Sequence, residues 1–144
     1  MTNIRTARVQ DAPELARLLT ELGHATTQDE ILLRWSAWQA NGNSGLVMDG
    51  DDGELVAAAT LHQTVVLHRA KPIGRISALI VDSRHRSRGI GRAFVERAER
   101  MFAEAGCGMV EITSNMRRTD AHAFYQYLGY ELTSARFMKR LTST

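Results

Sequence analysis

Apolar and polar residues recur along the first part of this chain at spacings that distinguish strands from helices. The segment IRTARV, residues 4–9, alternates between the two kinds of residue and predicts a strand. In DAPELARLLTELG four leucines lie at helical spacing, with Asp11 as a candidate N-cap and Gly23 as a stop signal. A second helix is expected to follow, because Thr27 and Glu30 have the spacing of a capping box.

The middle of the chain has the pattern of β structure. The segments SGLVMD, ELVAAATLHQTVVLH and RISALIVD are rich in aliphatic and β-branched residues and are separated by turn signals. They occupy residues 44–49, 54–68 and 75–82. Since no helical pattern intervenes, we expect these strands to be antiparallel neighbours.

After these strands the pattern changes to alternating helices and strands. GIGRAFVERAERMFAEAG has one apolar face and predicts a helix over residues 89–105. GMVEITS predicts a strand over residues 108–113, parallel to the strand over residues 75–82 because a helix crosses between them.

Two short elements complete the predicted fold. DAHAFYQYLGY predicts a helix closed by Gly129, and ARFMKRL predicts a last strand over residues 135–141. The whole pattern predicts one α/β domain, residues 1–144, in which about four helices flank a mixed, mostly antiparallel sheet.

Composition narrows the class of protein. The chain has 144 residues, 44% hydrophobic and 24% charged, with a formal net charge of +2. No apolar run is long enough to span a membrane and no signal-peptide pattern opens the chain, so a cytoplasmic protein is expected. The small net charge argues against nucleic acid as a partner. Cys107 is the single cysteine, which excludes an intrachain disulfide and a thiolate metal cluster, and no metal site is expected.

The most informative stretch is SRHRSRGIGRAF, residues 83–94, at the junction between a predicted strand and a predicted helix. Unpaired N–H groups and the positive end of the dipole make a helix N-terminus an anion site. Gly89 and Gly91 let the backbone approach a ligand closely, and several arginines add positive charge nearby. A pyrophosphate fits these features well, and a single phosphate or sulfate would also satisfy them.

Three phosphate-binding motifs compete for this stretch. A Walker-type loop is excluded because no Lys follows the glycines. A dinucleotide fingerprint is a weaker option, since Phe94 stands where its third glycine belongs, although Glu111 lies at the distance expected of a ribose-binding acid. The third motif is Arg/Gln-x-x-Gly-x-Gly/Ala, which Arg86 to Gly91 match.

With this third motif the sequence resembles the GNAT superfamily of acyl-CoA-dependent N-acyltransferases. The resemblance covers nearly the whole chain, through the order of elements, the segment LIVDSRHRSRGIGRAFVERAE and the later segment AHAFYQYLGYE. It implies that acetyl-CoA is the cofactor, that loop amides hold its pyrophosphate and that strand 75–82 pairs with its pantetheine arm. It also implies that this strand carries a bulge and splays from the parallel strand 108–113.

The cofactor-binding residues implied by the resemblance lie on the strand, on the loop and near the later segment. They are Leu79, Ile80, Val81, Arg86, Ser87, Arg88, Gly89, Ile90, Gly91, Arg92, Asn115 and Tyr125. The chain departs from the family where many members carry Asn-x-x-Ala before the Tyr. Here Arg118 lies three residues before Ala121 and Asn115 three residues further upstream, so either residue could serve.

The same resemblance suggests how catalysis would proceed. Because a thioester is already activated, no protein nucleophile is needed, but the departing thiolate benefits from a proton. Tyr125 is the implied acid, and aromatic packing is its alternative role. Glu111, in the strand beside the expected cleft, is the first candidate for general base, and a solvated strand residue is its alternative.

The sequence therefore predicts an N-acetyltransferase that moves an acetyl group to a primary amine by direct attack in a ternary complex. A non-catalytic acyl-CoA-binding module of the same fold is the alternative hypothesis, motivated by the lack of an obvious base. The expected partner is a small-molecule or peptide amine, with neither nucleic acid nor membrane, and a homodimer is one possible state. The identity of the amine does not follow from the sequence.

Overall fold

The computed structural model describes residues 3–113 and 119–142. These residues belong to two compact units, one comprising residues 1–113 and the other residues 114–144. The first unit contains a five-stranded sheet with strand order β1-β2-β3-β4-β5 and three α-helices. The described part of the second unit, residues 119–142, contains one helix.

The bounds of the elements agree closely with the periodicity of the sequence. The strands are β1 (Ile4–Thr6), β2 (Asn43–Asp49), β3 (Leu55–Thr64), β4 (Ile73–Val81) and β5 (Met109–Ile112). The helices are α1 (Ala12–Leu22), α2 (Gln28–Ala40), α3 (Ile90–Glu104) and, in the second unit, α4 (Thr119–Tyr127). The predicted mixed α/β fold with four helices is confirmed.

Two local expectations are wrong. The last strand, over residues 135–141, does not form: beyond Tyr127 the described residues contain neither strand nor helix. An apolar pattern alone cannot make a strand, because a strand also needs a neighbour to complete its hydrogen bonds. Asp11 precedes α1 but does not cap it; its carboxylate accepts hydrogen bonds from the Arg5 guanidinium and the Arg8 N–H instead.

The capping box of α2 is confirmed. The Glu30 N–H donates to Thr27 Oγ1 at 3.1 Å, and the Thr27 N–H donates back to Glu30 Oε1 at 2.9 Å. Two otherwise unsatisfied donors at the start of the helix are thereby paired.

The sheet buries both of its faces. On one face, Val47, Ala58 and Ile80 pack with leucines of α1. On the other, Phe102 of α3 lies against Gly74 so closely that a side chain at position 74 would collide with its ring. Helices on both faces explain why β3 is almost continuously buried along its first half.

A bulge in β4 divides this strand into two parts. Thr60 of β3 pairs with Ala78, whereas Leu61 pairs with Ile76, which leaves Ser77 as an extra residue on β4. The Ser77 hydroxyl lies 2.8 Å from Thr60 Oγ1, an interaction that ties the bulge to β3. β5 pairs in parallel with β4 only over Ile73 to Ile76. Beyond the bulge, β4 therefore has no partner on its β5 side within the described residues.

Candidate functional site

The loop between β4 and α3 has an unusual backbone. A 3-10 turn over Ser83–His85 is followed by positive φ angles at Ser87 (64°) and Gly89 (77°). The Ala93 N–H donates to the Gly89 carbonyl at 3.1 Å, which is the first hydrogen bond of the helix. Ile90, Gly91 and Arg92 precede that bond, so helix geometry leaves their N–H groups without intrahelical acceptors.

Among the described residues, the surroundings of Gly89, which precedes these N–H groups, are open. A Cβ atom built on Gly89 would meet no heavy atom within 4 Å, and no side chain caps the helix. The first turn of α3 contains no acidic residue that would repel an anion. Unpaired donors, the positive end of a helix dipole and free space together make a site for phosphate oxygens, so the residues present fit the predicted diphosphate group.

The arginines of the loop differ in what they contact. Arg86 Nε donates to the Val81 carbonyl at 3.2 Å, and its Nη2 lies 3.8 Å from Glu21, so this side chain braces the end of β4. Arg88 Nη1 lies 3.4 Å from the His85 ring. Arg92 lies at the helix surface, 3.5 Å from Glu96. All three side chains are exposed, and Arg86 is the one of them that is held between β4 and α1.

Asp82, immediately before the loop, is the centre of a charged cluster. Its side chain is only 1% exposed and accepts hydrogen bonds from the Arg84 backbone N–H at 2.9 Å and from Arg17 Nη1 at 2.8 Å. Arg84 also donates through its guanidinium, at 3.1 and 2.9 Å. The hydrogen bonds from Arg84 above all, together with the one from Arg17, hold the pKa of Asp82 well below its usual range.

The same cluster fixes α1 against the sheet and the loop. Arg17 donates to Glu14 and to the Leu55 carbonyl, each at 2.9 Å, while the Leu55 N–H donates to Glu14 at 2.8 Å. Glu21, one turn further along α1, accepts from the Ser83 N–H at 2.8 Å. α1 therefore supports both the end of β4 and the turn that leads into the anion site.

None of Asp82, Arg17 and Glu21 was predicted from the sequence as part of this cluster. The spacing of Glu14, Arg17 and Glu21 on α1 signals ion pairs along that helix. It does not signal a contact between Arg17 and Asp82, which are 65 residues apart in the chain.

The predicted pantetheine-binding residues lie on the part of β4 beyond the bulge. Ile80 is buried in the core cluster beneath α1, whereas Leu79 and Val81 are half-buried and alternate to the other face. Along the edge that has no partner among the described residues, this segment offers backbone N–H and carbonyl groups, as the predicted pairing with an extended arm requires.

The two predicted catalytic residues lie in different units. Glu111 is exposed on β5 in register with Arg75 of β4, two positions before the bulge. Tyr125 is half-buried on α4, where its ring contacts those of Phe124 and Tyr130 at centroid distances of 5.3 and 6.3 Å. The predicted cofactor residue Asn115 lies outside the described residues.

Comparison with known proteins shows the family to which the chain belongs. Residues 12–130 match the model of the acetyltransferase (GNAT) family. The chain belongs to this family. Membership makes it an acyltransferase by class and favours the third of the motifs that compete for the loop.

Individual GNAT proteins resemble the chain over most of its length. An aminoalkylphosphonate N-acetyltransferase from Salmonella typhimurium is 34% identical over 140 residues, with 84% of this chain and 91% of that protein covered. The crystal structure of a Trypanosoma brucei acetyltransferase has a TM-score of 0.86 and 21% identity, covering 98% of this chain and 100% of that one.

An aminoglycoside N-acetyltransferase in complex with CoA has a TM-score of 0.83 and 19% identity, covering 97% of this chain and 94% of that one. At these identities the two structures establish the shared fold.

Two further findings concern sites that a GNAT domain does not require. Residues 3–113 and 119–142 include no helix of the length and apolarity needed to cross a bilayer. The same residues contain no group of three or more side chains arranged to hold a metal ion.

Proposed function

We propose that this GNAT protein is an N-acetyltransferase that transfers the acetyl group of acetyl-CoA to the primary amine of a small molecule. The observation that carries the proposal is the uncapped, amide-lined start of α3, open at Gly89, which adjoins the part of β4 that has no partner on its β5 side among the described residues. One end of this arrangement suits a diphosphate and the other suits an extended amide-containing chain, and CoA contains both.

The chain's own residues account for cofactor binding. The backbone of Ser87 to Gly91 would hold the pyrophosphate, with Arg88 and Arg92 at the rim, and the backbone of Leu79 to Val81 would pair with the pantetheine arm. Arg86 would act mainly by bracing the end of β4, because its Nε is already donating to the Val81 carbonyl. The bulge at Ser77 would leave a backbone N–H to polarise the thioester carbonyl.

Acetyl-CoA, when bound, supplies an activated thioester, so the protein needs only to position the amine and move protons. Glu111 would accept the proton that an ammonium group must lose before it can attack. Tyr125 would donate a proton to the departing sulfur. The acetyl group would pass directly to the amine in a ternary complex, because no nucleophilic side chain is needed to carry it.

The choice of a small-molecule acceptor is supported by the Salmonella relative, whose name specifies an aminoalkylphosphonate. A cytoplasmic location and a homodimer stay predictions, as does a peptide acceptor.

The proposal is tested by thiol release from acetyl-CoA with aminoalkylphosphonates, polyamines, aminoglycosides and peptide N-termini, beside calorimetry of acetyl-CoA binding. We expect binding and turnover with at least one amine. Absence of acetyl-CoA binding would overturn the proposal. Binding without turnover on any acceptor would instead favour the non-catalytic module.

A further inference from the structure

A row of polar residues crosses four strands of the sheet. Asn43, His62, Arg75 and Glu111 are successive register partners on β2, β3, β4 and β5. His62 alternates with Thr60 and Ala58 along β3, and Ala58 packs in the core cluster with α1. By this alternation the row lies on the same face of the sheet as α1, beyond the apolar core.

The members of this row differ in how fully they are hydrogen-bonded. Asn43 Nδ2 donates to the Trp38 carbonyl at 2.9 Å, and His62 Nε2 lies 3.1 Å from the Asn41 carbonyl. Arg75 donates from Nη2 to Thr113 Oγ1 at 2.7 Å. Its Nε is buried and has no hydrogen-bond partner among the described residues.

An unpartnered guanidinium N–H in a buried position is energetically costly and calls for an acceptor. The acceptor that arginine pairs with best is an oxyanion, because carboxylate, phosphate and phosphonate oxygens match its planar fork. Thr113 supplies one neutral hydroxyl to this side chain, so the positive charge of Arg75 is not matched by that contact.

Arg75 lies close to the residues that the proposed reaction uses. Arg75 lies two residues before Ser77, where β4 bulges and its pairing with β5 ends. Glu111 is its register partner on β5, and paired strands lie about 4.8 Å apart. Side chains of opposite charge at adjacent positions of neighbouring strands complement a short zwitterion, whose ammonium and anionic groups are also close together.

We infer that Arg75 is an acceptor-binding residue, which recognises an anionic oxygen group carried close to the reacting amine, while Glu111 faces the ammonium. The substrate class is short zwitterionic amines, such as aminoalkylphosphonates and β-amino acids. This inference rests on the proposed function and adds to it the residue that selects the acceptor.

The test compares acceptors of matched length at saturating acetyl-CoA: 2-aminoethylphosphonate, β-alanine and ethanolamine. We expect wild-type kcat/KM to be at least about tenfold higher for the phosphonate than for ethanolamine. Arg75→Gln should raise KM for 2-aminoethylphosphonate by about ten- to a hundredfold, as expected for loss of charged hydrogen bonds, and leave KM for ethanolamine within about twofold. The β-alanine arm distinguishes a carboxylate site from a phosphonate site.

Arg100→Gln is the matched control, since Arg100 is an exposed arginine of α3, and it should change neither KM. Arg75→Lys keeps the charge without the fork and should restore part of the phosphonate preference. If thermal unfolding shows that Arg75→Gln does not fold, Arg75→Lys takes its place in the comparison of the two acceptors. Equal losses for both acceptors, or no wild-type preference, would overturn the inference.

Calorimetry separates failure of this inference from failure of the proposed function. Suppose that no amine turns over, but that 2-aminoethylphosphonate binds the CoA complex and Arg75→Gln abolishes this binding. This result would support the anion site at Arg75 and overturn the proposed catalysis. If neither turnover nor binding is found, the anion site falls as well.

Discussion

Two neighbouring stretches of this chain, residues 82–86 and residues 87–92, both contain charged and polar groups but use them differently. In the first, Asp82 is buried and its hydrogen bonds come from Arg17 and Arg84 within the protein. In the second, the first backbone N–H groups of α3 have neither an intrahelical acceptor nor a side-chain cap, and the surroundings of Gly89 are open. Positive charge that is already paired stabilises structure, whereas donors left unpaired are available to a ligand.

The largest effect should come from replacing Asp82, the buried carboxylate of residues 82–86, because this change lowers stability. Asp82→Ala leaves Arg17 and Arg84 without their buried partner and should lower the free energy of unfolding by about 3 kcal/mol. Urea denaturation measures this loss, and acetyl-CoA affinity should fall with it because the turn before α3 loses its anchor. Glu96→Ala, at an exposed pair with Arg92, is the control and should cost less than about 0.5 kcal/mol. Equal effects of the two changes would refute the contrast.

Lowering the pH should reduce the difference in unfolding free energy between wild type and Asp82→Ala. The pKa of folded Asp82 is lowered, chiefly by hydrogen bonds from Arg84, so its stabilising contribution is complete above the unfolded pKa of about 4. As pH falls below that value towards the folded pKa, the contribution is lost. Denaturation of wild type and Asp82→Ala between pH 7 and pH 2 should give a constant gap down to about pH 5 and a narrowing gap below. A gap independent of pH would exclude Asp82 ionisation as its cause.

A change in the second unit separates chemistry from binding. Tyr125→Phe should lower kcat by about a hundredfold, because the thiolate would depart without its acid, and leave acetyl-CoA affinity unchanged. Steady-state kinetics and calorimetry give the two quantities. Tyr127→Phe is the control, since Tyr127 is 76% exposed on the same helix. An unchanged kcat in Tyr125→Phe would exclude this residue as the acid.

A side chain added at Gly89 tests whether residues 87–92 bind acetyl-CoA. Gly89 has a positive φ of 77° and a Cβ there would point into open space, so Gly89→Val should weaken acetyl-CoA binding by about tenfold through obstruction and altered backbone. Gly53→Val is matched to it, because Gly53 has a φ of 82° and equally open surroundings in the β2–β3 turn. Both variants should lose similar stability, but only Gly89→Val should lose affinity. Equal affinity losses would argue against a phosphate site at α3.

The smallest effect on acetyl-CoA affinity is expected from Arg92, an exposed arginine at the start of α3. Arg92→Gln should reduce acetyl-CoA affinity by about two- to threefold at low salt and less at high salt, because exposed charges are screened. Calorimetry at two ionic strengths measures the difference. A loss larger than that of Gly89→Val would reverse the relative importance of arginines and backbone amides.

Features within one element or one turn were predictable from sequence. The capping box of Thr27 and Glu30 and the glycine-rich start of α3 depend on residues a few positions apart, and the structure has both. Asp11 shows where such reasoning fails: it has the sequence position of a cap, but the guanidinium of Arg5, on β1, competes for its carboxylate. The predicted strand over residues 135–141 failed because strand formation depends on a neighbour as well as on pattern.

The sequence by itself determined the order of the elements up to α4 and, through its motifs, the family, and it predicted the anion site at α3. These follow from local periodicity and from backbone geometry that a few residues impose. Only the tertiary structure decided that Arg17 reaches Asp82 and that β4 bulges at Ser77. It also placed Arg75 next to Glu111. Such contacts depend on strand register and helix packing, which bring together side chains that no local spacing relates.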